Sequence, residues 1–187
     1  GCAHEGPVMS EAMIRNKTVM PGAIVPSAAP SSDVDVLREY LAFQLADEFY
    51  ALPLGAIREI LKPPPITPVP RTAHHVLGIL SVRGRVTTVL DLRRKLRVAE
   101  AEHDKHTRVL LVDKGDEIMG LLVDRVLQVY RLAADEIELS GVVAGDMSEF
   151  VFGIGRPRIN RTRETRGDTA TDSDMLILLE PAPLLRK

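Results

Sequence analysis

From Arg38 onward the chain falls into short apolar runs of about five to eight residues, most of them alternating inward and outward positions and separated by polar or glycine-containing breaks. Tyr40 to Leu45 alternates, Ala46-Asp47-Glu48 turns the chain, and Phe49 to Leu54 pairs back as a hairpin. Ala56 to Leu61 reads as another strand. Pro63, Pro64, Pro65, Pro68 and Pro70 then hold an extended connection that cannot join a central ladder. Thr72 predicts a cap for a short helix over 73–77. After Gly78 to Val82, Arg83-Gly84-Arg85 breaks the chain, with Gly84 supplying the positive φ that a tight turn needs. Val86, Thr88, Leu90 and Leu92 recur with period two, and Asp91 is placed to cap a basic helix over 92–97.

Beyond a polar break at 100–106, the pattern predicts strands over 108–113 and 117–124, an extended continuation over 125–130, and two final strands over 150–155 and 175–179. Many short strands with few helical periods predict an all-β fold of the sandwich or barrel kind. Residues 1–37, interrupted by Pro7, Pro21, Pro26 and Pro30, read as a disordered tail. Residues 156–174, rich in Arg, Thr and Asp, read as a flexible insertion between the last two strands.

Composition narrows the function classes. The chain has 187 residues, 45% of them apolar and 27% charged, with net charge −2, so no global basic field favours nucleic acid. One cysteine, Cys2, excludes an intramolecular disulfide framework and fits a reducing compartment. No apolar run approaches the ~20 residues of a membrane span and no secretory signal is visible, so the expectation is a cytoplasmic protein with no direct membrane insertion.

Candidate chemistry is sparse. No nucleophile stands beside a base, and no glycine-rich loop could cradle a phosphate, so the chain reads as a non-enzyme without a cofactor. His103 and His106 are three apart but lack a second ligand pair, and His74 and His75 are adjacent, so no metal site is expected. Two basic patches, Arg93, Arg94, Lys95 and Arg97, then Arg156, Arg158, Arg161, Arg163 and Arg166, read as solvated charge. Their alternative is a small nucleic-acid-binding β-barrel. With 4% aromatic residues and no Trp, the chain is poorly supplied for base stacking.

Two stretches carry a family resemblance. Gly78, Arg83, Gly84, Val86, Val89, Asp91, Leu92 and Arg93 resemble the signature G-x-x-N-x-R-G-x-V-x-P-V-x-D-L-R of the CheW adaptors of bacterial chemosensory arrays, with Ser81 in place of Asn and Thr88 in place of Pro. Gly120, Val123, Asp124, Val126 and Val129 match a second signature, G-x-x-V-D-x-V-x-x-V, and Ala133 to Ile137 resembles the segment after it. Ala46 stands where the family usually has Gly.

The resemblance implies two small SH3-like five-stranded β-barrels side by side over 38–187 that exchange strands across their boundary, and the polar break places that boundary near residue 100. It implies a scaffold joining chemoreceptor (methyl-accepting protein) signalling tips to the histidine kinase CheA. The first barrel would bind the kinase regulatory domain. A groove lined by Ile57, Gly78, Val126 and Val129 would take the receptor's cytoplasmic helical hairpin, and Glu59 and Arg83 would form a charge pair beside it.

Overall fold

The computed structural model describes residues 36–139, 149–158 and 175–187. Most of the predicted tail and of the 156–174 insertion therefore lies outside the described residues. Eleven strands are present among the described residues, at Arg38–Leu45 (β1), Glu48–Pro53 (β2), Ile57–Leu61 (β3), Val76–Val82 (β4), Arg85–Asp91 (β5), Arg108–Asp113 (β6), Ile118–Val123 (β7), Arg125–Leu132 (β8), Ile137–Leu139 (β9), Val151–Gly155 (β10) and Leu176–Leu179 (β11). The two α-helices among the described residues are single turns, Leu92–Lys95 (α1) and Pro181–Leu184 (α2).

The strands form two sheets. One runs β8-β1-β2-β11-β10-β9 and the other β3-β6-β7-β5-β4. This mostly-β, two-sheet arrangement with few short helices is the fold class expected, although the first sheet has six strands rather than five. No pairing among the described strands closes either sheet into a hydrogen-bonded ring. The expected boundary near residue 100 falls inside the five-stranded sheet, since β5 before it and β6 after it belong to the same sheet. The reason is connectivity. The chain leaves the six-stranded sheet after β2, builds the whole five-stranded sheet, and returns at β8.

Alternation along the strands explains how the sheets pack. Leu41, Phe43 and Leu45 of β1 enter one large core with Tyr50 and Leu52 of β2, and the same core takes Leu90 of β5, Leu110 and Val112 of β6, and Met119, Leu121 and Val123 of β7. Leu184 and Leu185 close it. The opposite faces have their own clusters. Tyr40, Ala42, Ala51 and Tyr130 pack with Leu176 and Leu178 on the six-stranded sheet. Leu80, Val89, Val109, Leu111 and Leu122 pack on the five-stranded sheet. Strands β1 and β6 are thus buried on both faces, and the two sheets share their largest core while each keeps a smaller cluster of its own.

Two local predictions meet different outcomes. Asp91 does cap α1, accepting a hydrogen bond from the Arg94 amide at 3.3 Å. The helix ends at Lys95 rather than Arg97, because the chain turns through a positive φ of 57° at Arg97. The helix predicted over 73–77 does not form. Val76 and Leu77 are instead the start of β4, where Val76 pairs with Leu90 and the ladder with β5 outweighs a weak helical signal.

Candidate functional site

Glu59 lies on β3 and Arg83 in the turn after β4, strands at opposite edges of the five-stranded sheet. Their side chains nevertheless meet, Arg83 Nη2 donating to Glu59 Oε1 at 3.0 Å. Arg83 and Gly84 both have positive φ, 50° and 79°, the pattern of a tight hairpin turn that follows the strand twist. That turn carries Arg83 outward, with its side chain 79% exposed, to the neighbourhood of β3.

Gly78, also expected in the groove, is buried. A Cβ built on it would lie 2.2 Å from the Thr67 carbonyl oxygen, and its φ is +152°. Thr67 and Ile79 exchange backbone hydrogen bonds of 2.8 and 2.9 Å, so the proline-rich connection lies across β4 as a strap. Gly78 is the position that lets the strap approach. It presents no side chain to a partner.

Val126 and Val129 are three residues apart on β8, a spacing that puts side chains on opposite faces of a regular strand. Here Val126 pairs with Phe43 and Val129 with Leu41, two residues of β1 that share a face. A bulge in the β1–β8 ladder between Leu41 and Phe43 accommodates the extra residue on β8. Both valines consequently flank the same row. Val126 is half-buried against the shared core, and Val129 is 38% exposed. Ile57 packs on that same core as the first residue of β3, directly after the 3-10 turn Leu54–Ala56.

A surface hollow of about 470 Å³ is lined by Leu37, Glu39, Leu54, Gly55 and Arg131, none of them a residue expected in the groove. Leu54 and Gly55 belong to the turn that leads into Ile57, and Arg131 follows Val129 by two residues. Arg131 Nε donates to Glu39 at 2.9 Å across the β1–β8 ladder, giving the hollow a charged rim.

A more buried constellation was not legible as a site. Asp124 is the single residue between β7 and β8, where the chain passes from one sheet to the other. Its carboxylate accepts from Arg93 Nε at 2.7 Å on one oxygen and from Arg93 Nη2 on the other, and the second oxygen also accepts from the Ala46 amide at 2.8 Å. The Arg93 side chain is only 13% exposed. The hydrogen bond to Asp124 raises the Arg93 guanidinium above its already high usual value, against the effect of burial. Arg93 therefore departs from the solvated-charge reading of the first basic patch. Its neighbours are also engaged: Arg94 with Asp91 and Glu100 at 3.5 and 3.4 Å, and Lys95 Nζ with the Arg186 carbonyl at 2.7 Å.

Other candidate chemistry does not assemble. Among the described residues, no three His, Cys, Asp or Glu side chains come together in a way that could hold a metal ion. His74 lies 3.6 Å from Glu100, and His75 lies 3.3 Å from Lys95. No described helix is long and apolar enough to cross a membrane.

The CheW-like domain family model matches residues 39–187. The chain belongs to the CheW family. It is 32% identical over 130 residues to the chemotaxis protein CheW of Helicobacter pylori, covering 70% of this chain and 79% of that one. It is 30% identical over 132 residues to protein FrzA of Myxococcus xanthus, covering 70% of this chain and 82% of that one. The crystal structure of the scaffolding protein TtCheW from Thermoanaerobacter tengcongensis superposes with a TM-score of 0.69 at 26% identity, covering 81% of this chain and 94% of that chain.

With membership in the CheW family, the function class follows: the chain is a coupling adaptor of chemotaxis or a related chemosensory pathway, working through contacts with signalling proteins. The nucleic-acid alternative has no support. The family signatures also acquire a physical meaning. Arg93 closes the first signature and Asp124 sits in the second, and the two are joined by the bidentate pair between the sheets. Sequence spacing alone carried no sign of this contact, because 31 positions separate the partners. The Val-x-x-Val of the second signature was a usable signal, since a three-residue repeat in a strand implies a bulge if both residues serve one face.

Proposed function

We propose that the chain is a non-enzymatic scaffold that joins the cytoplasmic helical hairpin of a chemoreceptor to the regulatory domain of the histidine kinase CheA. The observation that carries the receptor half is the bulge on β8, which pairs Val126 and Val129 with Phe43 and Leu41, two residues on one face of β1. An apolar row with the Glu39–Arg131 pair in the same β1–β8 ladder suits the face of an amphipathic helix, and the exposed Glu59–Arg83 pair on the other sheet supplies a further charged contact. Gly78 contributes by letting the strap lie on β4.

The mechanism is geometric. Neither partner needs chemistry from the adaptor. Simultaneous binding fixes receptor and kinase in one assembly, and a receptor state that alters its own contacts biases the kinase by the difference in binding free energy between states. Titration of the purified chain against a receptor signalling-tip fragment, and separately against the kinase regulatory domain, tests this reading. Saturable one-to-one binding of each is expected. Binding of neither partner, by protein that unfolds cooperatively, would remove it.

A further inference from the structure

Strand β8 is an edge strand, paired on one side with β1 and bulged within that pairing. Beyond the bulge its register is held by buried Tyr130 and Leu132, whereas before the bulge Arg125 is exposed and Val126 only half-buried, and a slip of one residue there would turn the side chains to the other face. Its beginning, however, is anchored. Asp124 ties the point where β8 starts to α1 through Arg93 and to the β1–β2 turn through the Ala46 amide. That turn is itself tightened: Ala46 has a φ of 54°, and its carbonyl accepts from the Gln44 side-chain amide at 2.7 Å. Gln44 is the residue paired with Arg125 at the first rung of the β1–β8 ladder. One carboxylate thus fixes the first rung from both of its strands, and Val126 is the next residue along.

We infer that Asp124 is a positioning residue for the receptor-facing row. Held by Arg93 and the Ala46 amide, it sets β8 in the register that places Val126 and Val129 on one face. The inference rests on the docking reading above for its functional consequence, but the positioning itself is measurable without a receptor. The ammonium of a lysine at 93 would keep the charge and lose the two-pronged contact, so Arg93→Lys should act in the same direction as Asp124→Asn and more mildly.

The test uses the full chain, Asp124→Asn and Arg93→Lys, with two readouts. Amide hydrogen exchange is followed in β8 and, as an internal reference, in β6 and β7. Affinity is measured for a receptor signalling-tip fragment and for the kinase regulatory domain. Expected are a rise of about tenfold or more in β8 exchange with β6 and β7 little changed, and a loss of about tenfold in receptor affinity with kinase affinity within about twofold. Should Asp124→Asn fail to fold, the same comparison is read from Arg93→Lys. Unchanged β8 exchange in a folded variant would overturn the inference, as would faster exchange spread equally over both sheets with equal loss of both partners. A parent protein that binds no receptor fragment would remove the docking reading instead, and the exchange data would still decide whether Asp124 positions β8.

Discussion

Glu59 and Arg83 face each other at 3.0 Å although β3 and β4, the strands they belong to or follow, are the two outer strands of a five-stranded sheet. Side chains at the two edges meet through this ion pair with no ladder between β3 and β4, and the strap at Thr67 pairs with Ile79 of β4. An exposed pair of this kind contributes about 0–1 kcal/mol to stability. Its exposure suits it to partner choice more than to holding the fold. Arg83→Glu should therefore change unfolding free energy by less than about 0.5–1 kcal/mol while weakening receptor binding about tenfold. Combining it with Glu59→Arg should recover part of the loss. An unaffected affinity, measured by calorimetric titration, would take the pair out of the interface.

Val129 offers the cleaner probe of the apolar row. It is 38% exposed, whereas Val126 packs on the shared core. Val129→Lys should leave stability within about 1 kcal/mol and reduce receptor affinity at least tenfold, about 1.4 kcal/mol, because a charge placed in an apolar contact must be desolvated or hold the partners apart. Val126→Lys should lower stability as well, so only the first substitution separates docking from folding. Equal binding by Val129→Lys and the parent would exclude this face.

Gly78→Ala should act through the fold alone. The added methyl would overlap the Thr67 carbonyl, and the positive φ resists any side chain. A loss of about 2–4 kcal/mol in chemical denaturation is expected, with affinities of the folded fraction for both partners unchanged. A stable variant that has lost receptor binding would instead make Gly78 a contact position.

Acid sensitivity should appear first at His75. Burial, and next the adjacent Lys95 ammonium, pull its pKa below the usual 6.5. The unfolded chain then binds a proton more readily than the folded one, so stability is full above about pH 6.5 and declines as pH falls through the depressed folded value. Asp113, held down by the Gly115 amide and then Arg58, and Glu117, held down by Lys187 and Lys114, lose their contributions only below ordinary carboxylate values of 3.8 and 4.5. Urea midpoints measured from pH 7.5 to 5 should fall for the parent and stay flatter for His75→Gln. Identical slopes would assign the decline elsewhere.

The legible part of this molecule was local. Period-two runs marked most strands, Gly84 marked a turn, and Asp91 marked a cap, because each depends on neighbours within a few residues. The helix expected at 73–77 was lost to a ladder partner, Leu90, that sequence order does not reveal. The sheet partition was hidden for the same reason: β8 returns to β1 across the whole five-stranded sheet, so a polar break near 100 resembled a boundary and is a loop inside one sheet. In the candidate site, the Glu59–Arg83 contact was expected from the family resemblance and is present. The Arg93–Asp124 joint was not, since a run of four basic residues reads as surface until its partner is placed.

Whether one chain holds receptor and kinase together is read from co-sedimentation of the three purified components. Receptor signalling fragments assembled on vesicles are spun with the histidine kinase, with and without this protein. Kinase should enter the pellet in an adaptor-dependent, saturable way, and Val129→Lys should sharply reduce this recruitment while the kinase–adaptor complex persists in the supernatant. Kinase recovery that is the same with and without the folded adaptor would contradict the scaffold role.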